Sequence, residues 1–215
     1  MYKAQNEYVE GREKNEKTDV EKKKWPKGGY AAIGKGATEM KRRIRHVLKD
    51  EPSLPGLYKY QLFIILKLFA DLPFRNTFAD MRVREDSAGN YIKIPKKGNI
   101  IFVMRKYKGS EKIGSRELTL SRASTIALRK FLRYREQVVD HDYFLSNRSG
   151  KKMTRATLGK AVHKITKSLL GVSLGSRIIR VLAATASKPA IDAAAEVSKK
   201  LLHGDPKTTK QYTRK

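Results

Sequence analysis

The sequence contains no cysteine, which excludes disulfide bonds, thiolate zinc sites and cysteine nucleophiles. Acidic residues are scarce, since 21 Asp and Glu stand against 48 Lys and Arg in 215 residues. Long apolar runs are also missing: the stretch 62–70 includes Lys67 and is far shorter than the roughly 20 residues of a bilayer span. The first residues form no apolar signal region, so we expect an intracellular protein with no membrane partner.

The charge imbalance points to a polyanionic partner. The formal net charge is +27 and the pI is near 10.3, which predicts a positive potential over much of the surface. Nucleic acid is the expected partner, and no small-molecule substrate is indicated. On charge alone, a ribosomal or histone-like structural binder is an alternative.

The chain divides near residue 50. Residues 1–50 are charged and have few large apolar side chains, so they are predicted to be an arm, a linker or the remnant of another domain, partly disordered. Within them, residues 37–49 are predicted to form a short basic helix. That helix either meets phosphates or is simply a solvated charged face. The candidate phosphate contacts are Lys41, Arg42, Arg43 and Arg45.

Residues 51–215 have readable periodicity and are predicted to form one α+β domain. An apolar helix over 57–72 should lie at the centre of the core. Short strands are predicted over 80–85, 91–95, 100–106 and 117–120, followed by helices over 121–138, 154–169, 176–186 and 191–202. The expected fold is mainly helical with a small antiparallel sheet.

The C-terminal residues indicate chemistry on a phosphodiester. His203 stands nine residues before Tyr212, with Thr208 and Thr209 between them. A tyrosine hydroxyl is a poor nucleophile until its proton is removed or the group it attacks is stabilised. A phosphodiester held by arginines meets the second condition, and Arg177 and Arg180 lie about thirty residues upstream.

A glycine pattern at 29–36 has the spacing of a phosphate-binding P-loop but is not expected to bind a nucleotide. Gly36 follows Lys35, where magnesium binding needs Ser or Thr. No apolar strand precedes the pattern either. We therefore expect no nucleotide cofactor.

Residues 57–215 resemble the catalytic domain of the tyrosine recombinase (phage integrase) superfamily. In that family the motifs follow one order: an arginine after an apolar helix, a lysine in a β-hairpin, a His-x-x-Arg box, a histidine and the tyrosine nucleophile. The positions that match this order are Arg75, Lys108 beside Gly109, the box Arg177–Arg180, His203 and Tyr212.

The sequence departs from the family pattern at two positions. Phe78 stands where the family usually has an acidic residue supporting the first arginine, and Arg177 stands where histidine is most common. Because an arginine stays protonated, Arg177 cannot accept the tyrosine proton. Lys106 is an alternative to Lys108. Tyr107 and Tyr143 are rival candidates for the nucleophile, but neither has sequence neighbours like those of Tyr212.

The resemblance implies a site-specific recombinase or integrase that breaks and rejoins DNA through a 3′-phosphotyrosyl intermediate. Arg75, Arg180 and His203 would bind the scissile phosphate, Tyr212 would attack, and Lys108 would protonate the leaving 5′ oxygen. Such chemistry uses no metal or other cofactor. The alternatives are a type IB-like topoisomerase and a non-catalytic DNA-binding protein that retains the fold.

Double-stranded DNA is the expected partner. Self-association into a tetramer on DNA is a further possibility that the resemblance leaves open. Helix 154–169 is the element expected to approach a groove, and Lys106 is a further candidate contact. The helix would bring Arg155, Lys160 and Lys164 to the DNA. Residues 1–50 are too short for the helical domain that usually precedes the catalytic domain, so a fragment or a different assembly is expected.

Overall fold

The computed structural model describes residues 17–73 and 75–187, which form several helices and one small sheet. The elements, in chain order, are α1 (Asp19–Lys23), α2 (Ala31–Arg43), α3 (Leu54–Asp71), a 3-10 turn (Asn76–Asp80), β1 (Tyr91–Lys93), β2 (Ile101–Met104), α4 (Ser110–Ile113), β3 (Arg116–Thr119), α5 (Arg122–Glu136), α6 (Arg155–Leu170) and α7 (Ser176–Ala186). The predicted α+β class, mainly helical with a small antiparallel sheet, is confirmed.

Helix α3 lies at the centre of the core, as its apolar sequence predicts. Ser53 caps it, since the Ser53 hydroxyl accepts a hydrogen bond from the Gly56 N–H at 3.3 Å. Gly56 lies against the Tyr134 side chain of α5, and a Cβ at this position would clash with the Tyr134 hydroxyl. The contact between α3 and this tyrosine therefore favours glycine.

The sheet is antiparallel with the order β1-β2-β3. Ile92 is aligned with Phe102, and Phe102 with Leu118, and all three side chains are buried. The strand predicted over 80–85 is wrong. The chain there leaves the 3-10 turn, and Arg82 makes only single bridges to Tyr91 and Tyr143.

Helices α5 and α6 begin at polar N-cap residues, whereas α7 follows Gly175 and has no side-chain cap. Ser121 and Thr154 accept hydrogen bonds from the N–H groups of Ser124 and Thr157, at 3.2 and 3.1 Å. Helix α6 ends at Gly171, whose φ of 74° is left-handed and favours glycine. Helix α7 has the bounds that the sequence predicts.

The segment before residue 50 shares the core with the rest of the domain. Helix α2 begins at Ala31, six residues earlier than predicted, and packs against α3 and α6. Ile33 and Met40 are buried in the same cluster as the side chains of α3. The predicted boundary near residue 50 therefore falls inside a continuous core. Residues 1–16 lie outside the described part of the chain.

None of the helices in residues 17–73 and 75–187 combines the length and the apolar character needed to cross a bilayer.

Candidate active site

A basic cleft of about 600 Å³ collects residues from four separate parts of the chain. The cleft, called here the lysine-loop cleft, is lined by Arg75, Asn76, Thr77, Lys106, Tyr107, Lys108, Ser110, Arg155 and Ser176. Four of these are site residues predicted from the sequence: Arg75, Lys106, Lys108 and Arg155. The fold thus brings together candidates that lie up to eighty positions apart.

The Arg75 side chain is half-buried and precedes the 3-10 turn, which is held from two directions. Phe78 is 1% exposed, and its ring centroid lies 5.3 Å from that of Phe69. On the other side, the Asn76 side-chain amide donates a hydrogen bond to the Arg155 carbonyl at 3.4 Å. Phe78 therefore anchors this turn in the core by packing.

Arg155 already has an acidic partner. Its guanidinium contacts the Asp80 carboxylate, and the Lys152 ammonium lies 3.3 Å from the same carboxylate. Both pairs are partly exposed, so water and salt weaken them. They tie the start of α6 to the turn that follows Arg75.

The loop between β2 and β3, residues 105–115, is called here the lysine loop. Its Tyr107 is 8% exposed and donates its hydroxyl hydrogen to the Gly114 carbonyl at 2.7 Å. Lys106 and Lys108, on either side of this buried tyrosine, are exposed and line the cleft. Both lysines therefore remain candidates for the same role.

The predicted arginine box starts at the same cleft. Ser176, the first residue of α7, lines it, and Arg177 is exposed on the first turn. A helix N-terminus carries a partial positive charge that favours an anion. Arg180, one turn further, is 1% exposed. His203 and Tyr212 lie outside the described residues.

A second basic cleft lies along α6. This Arg148 cleft, of about 460 Å³, is lined by Tyr58, Asn147, Arg148, Ser149, Thr157, Lys160, Ala161 and Lys164. The Arg148 guanidinium lies 5.1 Å from the centre of the Tyr58 ring, a cation–π arrangement. The two predicted DNA contacts Lys160 and Lys164 are thus separate from the lysine-loop cleft.

A network of polar groups joins the end of α5 to the loop that follows it. Arg135, 2% exposed, donates to the Tyr143 carbonyl at 3.0 Å and contacts Nδ1 of His141 at 2.9 Å. Nε2 of His141 is 3.2 Å from the Ser146 hydroxyl. Burial lowers the pKa of His141, and the charge of Arg135 lowers it further. The lowered pKa favours the neutral imidazole at neutral pH.

The predicted contacts Lys41, Arg42, Arg43 and Arg45 are exposed but are not among the residues that line either cleft. Arg42 and Arg43 donate to the Glu39 carboxylate at 2.8 and 2.9 Å. Hydrogen bonds from Arg42 and Arg43 lower the pKa of Glu39 to about 2. A phosphate at this patch would compete with Glu39 for both arginines.

Sequence reasoning missed several residues that line the two clefts. Arg148 follows Asn147 in a turn that ends at Gly150, whose φ is 78°, and a basic turn before a basic helix is a usable signal. Asn76 and Ser176 carry no such signal, because their positions depend on long-range packing. No three His, Asp or Glu side chains within residues 17–73 and 75–187 are arranged to hold a metal ion.

A scan against models of known protein families and a search of curated proteins both find no match. Solved structures do match. The XerA recombinase superposes with a TM-score of 0.59 at 16% identity, over 83% of this chain and 57% of that one. XerH site-specific recombinase bound to its difH substrate, in a pre-cleavage complex, gives a TM-score of 0.56 at 20% identity, over 81% of this chain and 48% of that one.

A post-cleavage complex of XerH with a palindromic difH substrate gives a TM-score of 0.56 at 19% identity, over 81% of this chain and 47% of that one. The chain thus spans about half the length of these recombinases. At such identities the likeness concerns the fold. The described part of the chain has the fold of a tyrosine recombinase catalytic domain.

Proposed function

We propose that this chain is a site-specific DNA recombinase or integrase that breaks and rejoins DNA through a 3′-phosphotyrosyl intermediate. One observation carries the proposal: Arg75, Lys106, Lys108 and the start of the arginine-box helix meet at one cleft in a tyrosine recombinase fold. The net charge of +27 supports double-stranded DNA as the substrate.

The scissile phosphate would lie in the lysine-loop cleft. Arg75 and Arg180 would donate to its non-bridging oxygens, where charge accumulates in the pentacoordinate transition state. The Arg180 side chain is buried and is not among those that line the cleft, whereas Ser176, on the same helix, does line it. The exposed Arg177 adds positive charge at the start of α7, and His203 is a further candidate donor.

The reaction exchanges one phosphodiester for another. The Tyr212 oxygen attacks phosphorus, and the bond from phosphorus to the 5′ oxygen breaks. Lys108 or Lys106 gives a proton to that oxygen, which leaves as a 5′ hydroxyl. The tyrosine proton passes to water, to His203 or to the phosphate, because Arg177 cannot accept it. Attack by a 5′ hydroxyl reverses the steps and reseals a strand.

The second cleft would bind the DNA backbone away from the cleavage point. Lys160, Lys164 and Arg148 form a basic surface there, and neutralised phosphates release counterions, which makes binding strongly salt-dependent. Exchange between two duplexes requires more than one active site, so self-association on DNA, as a tetramer, is part of the proposal.

The proposal is tested by capturing protein–DNA adducts from random-sequence nicked duplexes. The incubation contains EDTA and no ATP and is stopped with SDS. We expect covalent adducts with the unmodified chain and none with Tyr212→Phe, and sequencing the captured DNA gives a selected duplex for further work. DNA binding without any adduct would overturn the proposal in favour of a non-catalytic binder. Relaxation of supercoiled plasmid without strand exchange would point to topoisomerase activity instead.

A further inference from the structure

The start of the lysine loop is held by the side chain of one buried residue, Asn90, which is 2% exposed. Its Oδ1 accepts hydrogen bonds from the backbone N–H groups of Arg105 at 2.8 Å and Lys106 at 2.7 Å. Its Nδ2 donates to the Lys106 carbonyl at 2.8 Å. One amide therefore fixes the backbone of Lys106 on both its N–H and its carbonyl side.

The Asn90 side chain replaces strand-to-strand hydrogen bonds at the end of the β1–β2 pairing. The pairing of β1 with β2 ends at Tyr91 and Val103, whereas β2 stays paired with β3 as far as Met104. A carboxamide has both a donor and an acceptor, so it can replace a strand partner at this point. A side chain without both a donor and an acceptor would leave backbone groups of the loop unpaired, which is costly where they are buried.

Asn90 is itself fixed by the turn that precedes it. The Asp86 carboxylate accepts hydrogen bonds from the N–H groups of Ala88 and Gly89, both at 2.8 Å. The Asn90 carbonyl accepts from the Arg82 N–H at 2.9 Å. The anchor of the lysine loop is therefore rigid.

We propose that Asn90 is a positioning residue for the general acid of DNA cleavage. The inference rests on the proposed function: a lysine ammonium of the loop donates its proton to the 5′ oxygen as the bond to phosphorus breaks, leaving a neutral amine and a 5′ hydroxyl. Asn90 does not touch the DNA. It sets where the ammonium of Lys106 or Lys108 stands relative to that oxygen.

Loss of the anchor should be costly, since a displacement of about 1 Å can slow a reaction about a hundredfold. The effect should be confined to proton donation. Replacing the bridging 5′ oxygen of the scissile phosphate by sulfur removes the need for a proton, because a thiolate is a far better leaving group than an alkoxide. A merely structural loss slows cleavage of both substrates equally.

The experiment compares single-turnover cleavage of the selected duplex containing oxygen or sulfur at the bridging position. Asn90→Ala is expected to lower the oxygen rate by about 10- to 100-fold while the sulfur rate stays within about threefold of the unmodified chain. Lys106→Ala and Lys108→Ala are measured in parallel, and the lysine that acts as the acid should show the same pattern more strongly.

Gln61→Ala is the matched control. Gln61 is also a fully buried amide with hydrogen bonds to backbone groups, donating to the Ser146 carbonyl and accepting from its N–H, but it lies far from the lysine loop in the sequence. Any loss in Gln61→Ala should be equal for both substrates. If Asn90→Ala does not fold, Asn90→Ser, which keeps a short polar side chain, replaces it.

An equal loss on oxygen and sulfur in the Asn90 variant, or no loss on oxygen, would overturn the inference. So would the absence of sulfur rescue in both lysine variants, since no loop lysine would then be the acid. If the unmodified chain cleaves neither duplex, the proposed function itself fails and the inference fails with it.

Discussion

The lysine-loop cleft and the Arg148 cleft are both basic, but they are built differently. The first takes its side chains from a 3-10 turn, a β-hairpin loop and the starts of two helices, and several of these segments have a buried anchor such as Phe78, Asn90 or Tyr107. The second uses mainly the exposed face of α6 and one turn. Rigid convergence suits transition-state stabilisation, whereas a basic helix face suits backbone binding.

The largest expected effect concerns the anchor beneath Arg75. Phe78→Asp, which introduces the acidic residue typical of the family, should lower the free energy of unfolding by more than about 3 kcal/mol, because it removes a buried ring and leaves a carboxylate beside Phe69. Chemical denaturation measures this loss, with Phe78→Leu as the milder control. A stable and more active Phe78→Asp would show that the turn is not held from the core.

The next prediction separates the two clefts by their chemistry. Arg75→Ala should slow cleavage of the selected duplex by about 10² to 10³, as expected for loss of one preorganised donor, while DNA affinity changes little. Arg148→Ala, the arginine of the other cleft, should change the single-turnover rate at saturating DNA less than tenfold. Equal rate losses in the two variants would contradict the division of roles.

The converse prediction concerns binding. Replacing both Lys160 and Lys164 by Gln should reduce the slope of log affinity against log salt by about 2, because two phosphate contacts are lost. Fluorescence anisotropy over a salt series measures the slope. Lys151→Gln and Lys167→Gln, also near or on α6 but outside the residues lining either cleft, provide the charge-matched double control. An unchanged slope in the Lys160 and Lys164 variant would show that the Arg148 cleft makes no phosphate contacts with DNA.

A smaller effect is expected from pH on the network that joins Arg135, His141 and Ser146. His141 has a lowered pKa in the folded chain, so the unfolded chain binds more protons once the pH falls below the usual histidine value of about 6.5. The contribution of His141 to the free energy of unfolding should therefore be fully present above that pH and decrease as the solution becomes more acidic. The charged groups around His141 are Arg135, Asp140 and Asp142.

Thermal unfolding between pH 7.5 and 5.5 measures this dependence. His141→Asn, which can keep a hydrogen bond but cannot take up a proton, should show a flatter curve than the unmodified chain. A steeper curve in the variant would mean that His141 is not held neutral.

Much of the fold could be predicted because local signals agreed with the packing. The apolar run of α3, the caps Ser121 and Thr154, and the bounds of α7 all follow from residues close in sequence. The start of helix α2 at Ala31, six residues before the predicted start, does not follow from local signals. Its first half, which includes Gly34 and Gly36, has weak local helix propensity and is held against α3 and α6.

The candidate site was predictable in part for a different reason. The order of motifs along the chain predicts Arg75 and Lys108 as candidates, and both line the same cleft. Asn90 could not be predicted in this way, because its role depends on hydrogen bonds across 15 and 16 positions to the start of the lysine loop. An asparagine after Gly89 is typical of an ordinary turn, and only the three-dimensional structure shows what its side chain holds.

The most direct test of the account is to identify the residue that becomes attached to DNA. The covalent adduct formed with the selected duplex is digested with protease and nuclease, and the modified peptide is sequenced by mass spectrometry. We expect Tyr212 to carry the 3′ end of the DNA through a phosphotyrosyl bond. A phosphate on Tyr107, Tyr143 or any other residue, or an adduct that persists in Tyr212→Phe, would contradict it.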